Sequence, residues 1–124
     1  MRTILTSLLL VLPFLAISQN ARLAQQYFLD GEYEKAAILY EQLFEQNEEN
    51  EYYFDRYFNS LLNLERYQEA EQLVERQIRQ FPDNMRLYVS LGTLFEAQLK
   101  DDKAQEQYMR AISQLPRNKY AITK

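Results

Sequence analysis

The sequence predicts an all-α protein built from helix pairs that recur along the chain. Three observations carry that expectation. Only 2 Gly and 3 Pro punctuate 124 residues, too few breakers for the many turns of an all-β fold. Apolar residues recur at helical spacing: Phe54, Tyr57, Phe58 and Leu61 fall at i, i+3, i+4 and i+7, one face of a helix. The chain also resembles itself at an offset of 34 residues, so that DGEYEKA at 30–36 returns as LERYQEA at 64–70.

Taken in order, the first element is an address. Residues 1–18 read MRTILTSLLLVLPFLAIS: Arg2 gives a positive start, Ile4 to Ala16 a mainly apolar run, and Ala16 and Ser18 the small residues before a cut at Gln19. This is the pattern of a secretory signal peptide. The rival is an uncleaved anchor, but a spanning helix needs about 20 apolar residues, and this run is shorter and holds Thr6, Ser7 and Pro13. Export to a bacterial periplasm or secretion is therefore expected, with no stable membrane insertion after cleavage.

From residue 19 the apolar period predicts helices near 19–29, 33–46, 52–63, 67–80, 85–98 and 102–114. They fall into three blocks, 17–50, 51–84 and 85–118, each ending in Asn (Asn50, Asn84, Asn118). Ala36, Ala70 and Ala104 share one register and are expected where two helices cross closely, since a larger side chain there would overpack. Tyr33 and Tyr67 share another, with Asp101 in the third block. Further apolar columns are Leu23, Tyr57 and Leu91; Tyr27, Leu61 and Phe95; and Tyr40, Val74 and Tyr108. Gly31 suits the left-handed residue that ends the first helix. Glu65 and Leu99 stand at its place in the later blocks, so those turns must close without glycine. Asp83 is expected to cap the helix that follows it. Residues 119–124 read as the start of a fourth repeat or a capping helix, too short to cover the back of 102–114. That leaves either a longer protein or self-association through an uncapped C-terminal end.

A 34-residue period with these columns resembles the tetratricopeptide repeat (TPR) family. The third block carries the resemblance best, through Leu91-Gly92, Phe95, Ala104, Tyr108, Ala111 and Pro116. The first carries it through Leu23-Ala24, Tyr27, Gly31, Ala36 and Tyr40. The second departs from it, with Phe58 and Gln77 where the family prefers small residues. The resemblance implies a right-handed superhelical array of antiparallel helix pairs, a TPR-like α-solenoid of three repeats. It also implies a concave groove lined by the first helix of each pair, where a partner peptide or helix binds. By that register the groove candidates are Arg22, Gln25, Tyr52, Asp55, Arg56, Asn59, Asn63, Arg86 and Thr93. The family's clamp for C-terminal carboxylates uses a Lys and Asn set that is missing here: Ala21 and Gln25 stand at its first positions, so a chaperone-tail receptor is not inferred.

The composition excludes much chemistry. There is no Cys and no His, so no disulfide, no Cys-metal site and no imidazole base can form. The net charge of −4 makes nucleic acid a poor partner, because phosphate contacts need clustered Lys and Arg. EQNEENE at 45–51 lacks the alternating ligands and glycine of a calcium loop and reads as a solvated turn. KDDK at 100–103 reads as a helix start, with its acids near the positive end of the dipole. No phosphate loop or nucleophile–base pair is present. No cofactor, metal or catalytic residue is expected; the expected function is a non-catalytic scaffold for another protein. The alternatives are a spacer or oligomerisation module, or the N-terminal part of a larger envelope assembly or enzyme.

Within the groove set, Arg22 and Arg56 stand one period apart. Neither has a carboxylate at i±3 or i±4, whereas Arg79 has Glu75 and Arg110 has Glu106. They are expected either to receive a carboxylate from an acidic partner, with Arg86 extending the strip, or to lie solvated or stacked on tyrosines such as Tyr52. In YYFDRYF at 52–58, Phe54, Tyr57 and Phe58 are expected in the core. Tyr52 and Tyr53 are the ones left to meet a ligand.

Overall fold

A computed structural model describes residues 19–115. The signal-peptide reading of 1–18 and the reading of 119–124 both fall outside the described residues. Within them the chain is wholly helical. Helix α1 occupies 19–29, followed by α2 (Tyr33–Gln46), α3 (Glu51–Asn63), α4 (Tyr67–Gln80), α5 (Met85–Ala97) and α6 (Asp101–Ser113). From the end of α1 onward, each boundary lies within one residue of its expected place. The starts of α2, α4 and α6, at Tyr33, Tyr67 and Asp101, recur at the 34-residue period, as do those of α3 and α5 at Glu51 and Met85. No described helix is long and apolar enough to cross a membrane.

The joints explain the period. The chain turns through left-handed backbone at Gly31 (φ 76°), Glu65 (φ 56°) and Leu99 (φ 60°). At the first joint the Glu32 N–H donates to the Tyr27 carbonyl at 2.8 Å and the Gly31 N–H to that of Phe28 at 3.1 Å. At the third, Lys100 donates to Phe95 at 2.8 Å and Leu99 to Glu96 at 2.9 Å. These paired bonds satisfy the last carbonyls of α1 and α5. Glycine holds this conformation without strain; Glu65 and Leu99 hold it despite a Cβ. Past two of the joints, short ion pairs tie down the next helix: Lys35 to Glu32 at 3.2 Å, and Arg66 to both carboxylate oxygens of Glu69. The Arg66 hydrogen bond holds the Glu69 carboxyl below its usual range, but at an exposed site such a pair adds little stability.

The other turns use caps. Asn50 and Asn84 are the N-caps of α3 and α5, their side-chain oxygens accepting the Tyr53 and Arg86 N–H groups at 3.0 and 3.2 Å. The cap expected at Asp83 therefore belongs to Asn84. Asp83 lies one residue outside the extended position from which a side chain reaches back to the first turn. The Asn that ends the first and second blocks is thus the cap of the next block's first helix.

The described chain divides between Glu65 and Arg66 into two compact units. In the first, α2 packs on α3. The core comprises Ala24, Ala36, Ala37, Tyr40, Leu43, Phe44, Phe54, Tyr57, Phe58 and Leu61. It is rich in ring contacts: Phe44 meets Phe54 at 5.9 Å and Tyr57 at 6.4 Å, and Phe54 stacks on Phe58 at 5.9 Å. So Phe54, Tyr57 and Phe58 are core, as expected. Leu23 departs from its column: it is 42% exposed, whereas Tyr57 and Leu91 are buried. In the second unit α5 packs on α4 and α6. Its core is mainly aliphatic, from Ala70, Leu73, Val74, Leu87, Leu91, Leu94, Ala104 and Ala111, with Phe95. A Cβ built on Gly92 would overlap the ring of Tyr108, so a larger residue at this α5–α6 approach would force that ring to shift. The three register alanines, Ala36, Ala70 and Ala104, are all fully buried.

Candidate functional site

The nine groove candidates divide between the two units. Arg22 and Gln25 on α1, Tyr52, Asp55, Arg56, Asn59 and Asn63 on α3 belong to the first. Arg86 and Thr93 on α5 belong to the second. All are exposed except Arg56, which is half-buried. Several polar groups are already engaged along their own helix. The Asn59 amide donates to the Asp55 carbonyl and the Asn63 amide to that of Asn59, both at 2.8 Å. The Thr93 hydroxyl donates to the Val89 carbonyl at 3.0 Å. Such back-bonding is common for short polar side chains in helices.

Tyr52 and Arg56 are the pair the fold brings together. The Asn50 cap fixes the start of α3, which puts the two side chains one turn apart on the same face. The Arg56 guanidinium lies 5.3 Å from the centroid of the Tyr52 ring and 4.2 Å from that of Phe28 on α1. Both are within cation–π range. The expected stacking on Tyr52 is present, with Phe28 the nearer ring. No ion pair joins Arg56 to a carboxylate among the described residues. Arg22 is exposed on α1. Of the reference pairs, Arg110 reaches Glu106 at 2.9 Å, but the exposed Arg79 and Glu75 form no such pair.

Beneath Arg56 lies a set of rings. Phe28 meets Tyr33 edge-on at 5.4 Å and Tyr40 at 6.4 Å; Tyr40 meets Tyr52 at 6.2 Å and Tyr53 at 6.3 Å. Tyr40 is fully buried, and its hydroxyl stands 3.5 Å from that of Tyr52. Burial pushes the Tyr40 phenol well above its usual value; the contact with Tyr52 adds to the shift, and the nearby Arg56 charge opposes it. Tyr53 is half-buried and Tyr52 is 44% exposed, so Tyr52 offers the more accessible ring and hydroxyl.

Sequence reasoning missed Phe28. It belongs to none of the repeated apolar columns: the residues one and two periods on are Leu62 and Glu96. Its pairing with Arg56 spans two helices of one unit and leaves no trace in local spacing. Elsewhere, an open depression of about 540 Å³ at the α5–α6 joint is lined by Leu99, Lys100, Asp101, Asp102 and Lys103. It is walled by consecutive residues of one turn. Among the described residues no group of three or more His, Cys, Asp or Glu could hold a metal ion. No protein-family model matches the chain, and no curated protein matches it.

Proposed function

We propose that the protein is an exported, non-catalytic scaffold of the tetratricopeptide type, three helix pairs in a right-handed superhelix. In this reading it binds a segment of another protein on the face formed by the first helix of each pair. The observation that carries the proposal is the recurrence of one joint at a 34-residue period. Gly31, Glu65 and Leu99 all adopt left-handed backbone, and Ala36, Ala70 and Ala104 five residues on are all fully buried. Repetition of a helix pair with a conserved joint suits a rigid frame that displays side chains. The exposure of eight of the nine groove candidates suits display too. The work asked of the chain is positioning, with no cofactor and no reaction.

The test is capture of a partner from the exporting compartment with the chain as bait, then binding measured for the double variant Arg22→Glu, Arg56→Glu. Loss of binding supports the groove reading. Retention of full affinity for the captured partner contradicts it.

A second reading has its own observation. Met109, Ile112 and Leu115, on α6 and just after it, are each more than half exposed, and exposed apolar rows are common where chains associate. Use as a spacer or oligomerisation module would follow. A mass by light scattering that stays monomeric at high concentration counts against it.

A further inference from the structure

We infer that Arg56 is a receptor for one carboxylate on an otherwise uncharged partner segment. The site deepens the scaffold reading and rests on it, since Arg56 is one point on the face assigned to the partner. Four features of the structure support this ligand. The guanidinium lies over two rings, 4.2 Å from the centroid of Phe28 and 5.3 Å from that of Tyr52. Rings attract the charge without using up the N–H fork, through which a carboxylate docks by two parallel hydrogen bonds. The rings also hold the side chain still before any ligand arrives, so less rotamer entropy is lost on binding.

The third feature is burial without neutralisation. Arg56 is half-buried yet joined to no carboxylate among the described residues, and a partly desolvated charge gains more from an incoming counter-charge than an exposed one. The fourth is the neighbourhood. Glu51 and Asp55 share α3 with it, and the whole chain carries −4. That field disfavours phosphate or a run of acids but tolerates one negative charge placed on the guanidinium. The Tyr52 ring beside it is 44% exposed, with its hydroxyl 3.5 Å from that of Tyr40.

The experiment follows the Arg56 Nε–Hε resonance of the labelled full chain during titration. The probes are N-acetylphenylalanine, which carries a terminal carboxylate, and N-acetylglutamic acid α-amide, which carries a side-chain one. N-acetylphenylalanine amide and inorganic phosphate are the controls. At least one carboxylate probe should shift the resonance saturably, the amide should not, and the stronger probe identifies the source. Arg56→Lys should weaken binding about tenfold by losing the two-bond geometry. Arg56→Gln should abolish it, with an unchanged helical circular dichroism spectrum. Phe28→Leu should weaken binding while leaving the charge in place, the sign of a positioning residue. No saturable shift, an equal response to the amide, or an equal response to phosphate would each overturn the proposal. Partner capture that survives Arg56→Gln would overturn the receptor and leave the scaffold reading intact. A working receptor in a chain that captures no partner would do the reverse.

Discussion

The two units solve the same packing problem with different materials. The first fills its helix crossings with rings: Phe28, Tyr40, Phe44, Tyr52, Tyr53, Phe54, Tyr57 and Phe58 touch in chains of contacts. The second brings α5 and α6 together at Gly92, which leaves room for Tyr108 and for nothing on Gly92 itself. The consequence is functional as well as structural. Rings too large to be wholly buried leave faces at the surface, and Arg56 lies on two of them. At the α5–α6 crossing a cation meets one ring instead of two, with Lys103 5.7 Å from the centroid of Phe95. The contrast teaches that one repeat period can specify common joints while the residues between them decide where a ligand can be met.

The largest expected effect strikes the ring-built unit. Phe44 is fully buried against Phe54 and Tyr57, so Phe44→Ala should cost about 3–5 kcal/mol in chemical denaturation. The second unit should instead fail by crowding. Gly92→Ala places a methyl against the Tyr108 ring and should cost about 1–3 kcal/mol, and Tyr108→Ala in the same chain should recover part of that loss. An Ala at 92 that stabilised the protein, as helix propensity alone would have it, would remove the contrast between the units.

A smaller effect, of opposite sign, belongs to the joints. Leu99 is 88% exposed and held at φ 60°. Leu99→Gly should raise stability by about 1 kcal/mol, by relieving left-handed strain. The same change at a position of ordinary backbone would lower it. Smallest at neutral pH is the effect of Tyr40→Phe, which removes only the 3.5 Å contact with Tyr52. Its signature is at high pH. The folded phenol is raised above its unfolded value of about 10. Its contribution is therefore complete below about pH 10 and is lost as the pH rises and the unfolded chain ionises. Wild type should destabilise above that pH, and Tyr40→Phe should flatten the alkaline limb of a denaturation series.

Much of this fold is legible in the sequence. The helices were found because apolar spacing fixes which face is buried, and the joints because the 34-residue offset sets three turns in one register. The Ala36, Ala70 and Ala104 column was correctly assigned to the interior for the same reason. The cap at Asn84 was misplaced by one residue because Asp and Asn both satisfy a cap and only backbone angle separates them. Leu23 shares an apolar column with Tyr57 and Leu91, yet it is 42% exposed while they are buried, since register cannot report what stands opposite. The candidate site was legible only in part. The absence of a carboxylate three or four residues from Arg56 could be read directly. The ring that holds it, Phe28, lies 28 residues earlier on another helix and follows no period.

The most direct test of the central claim is the mobility of the arginine side chains, from nitrogen-15 relaxation at Nε in the unliganded protein. If rings hold Arg56 ready for a partner, its guanidinium should be far more ordered on the picosecond-to-nanosecond scale than that of exposed Arg22. Replacing Phe28 by Leu should then loosen Arg56 and leave Arg22 unchanged. An Arg56 as mobile as Arg22 in the wild-type chain would contradict the account.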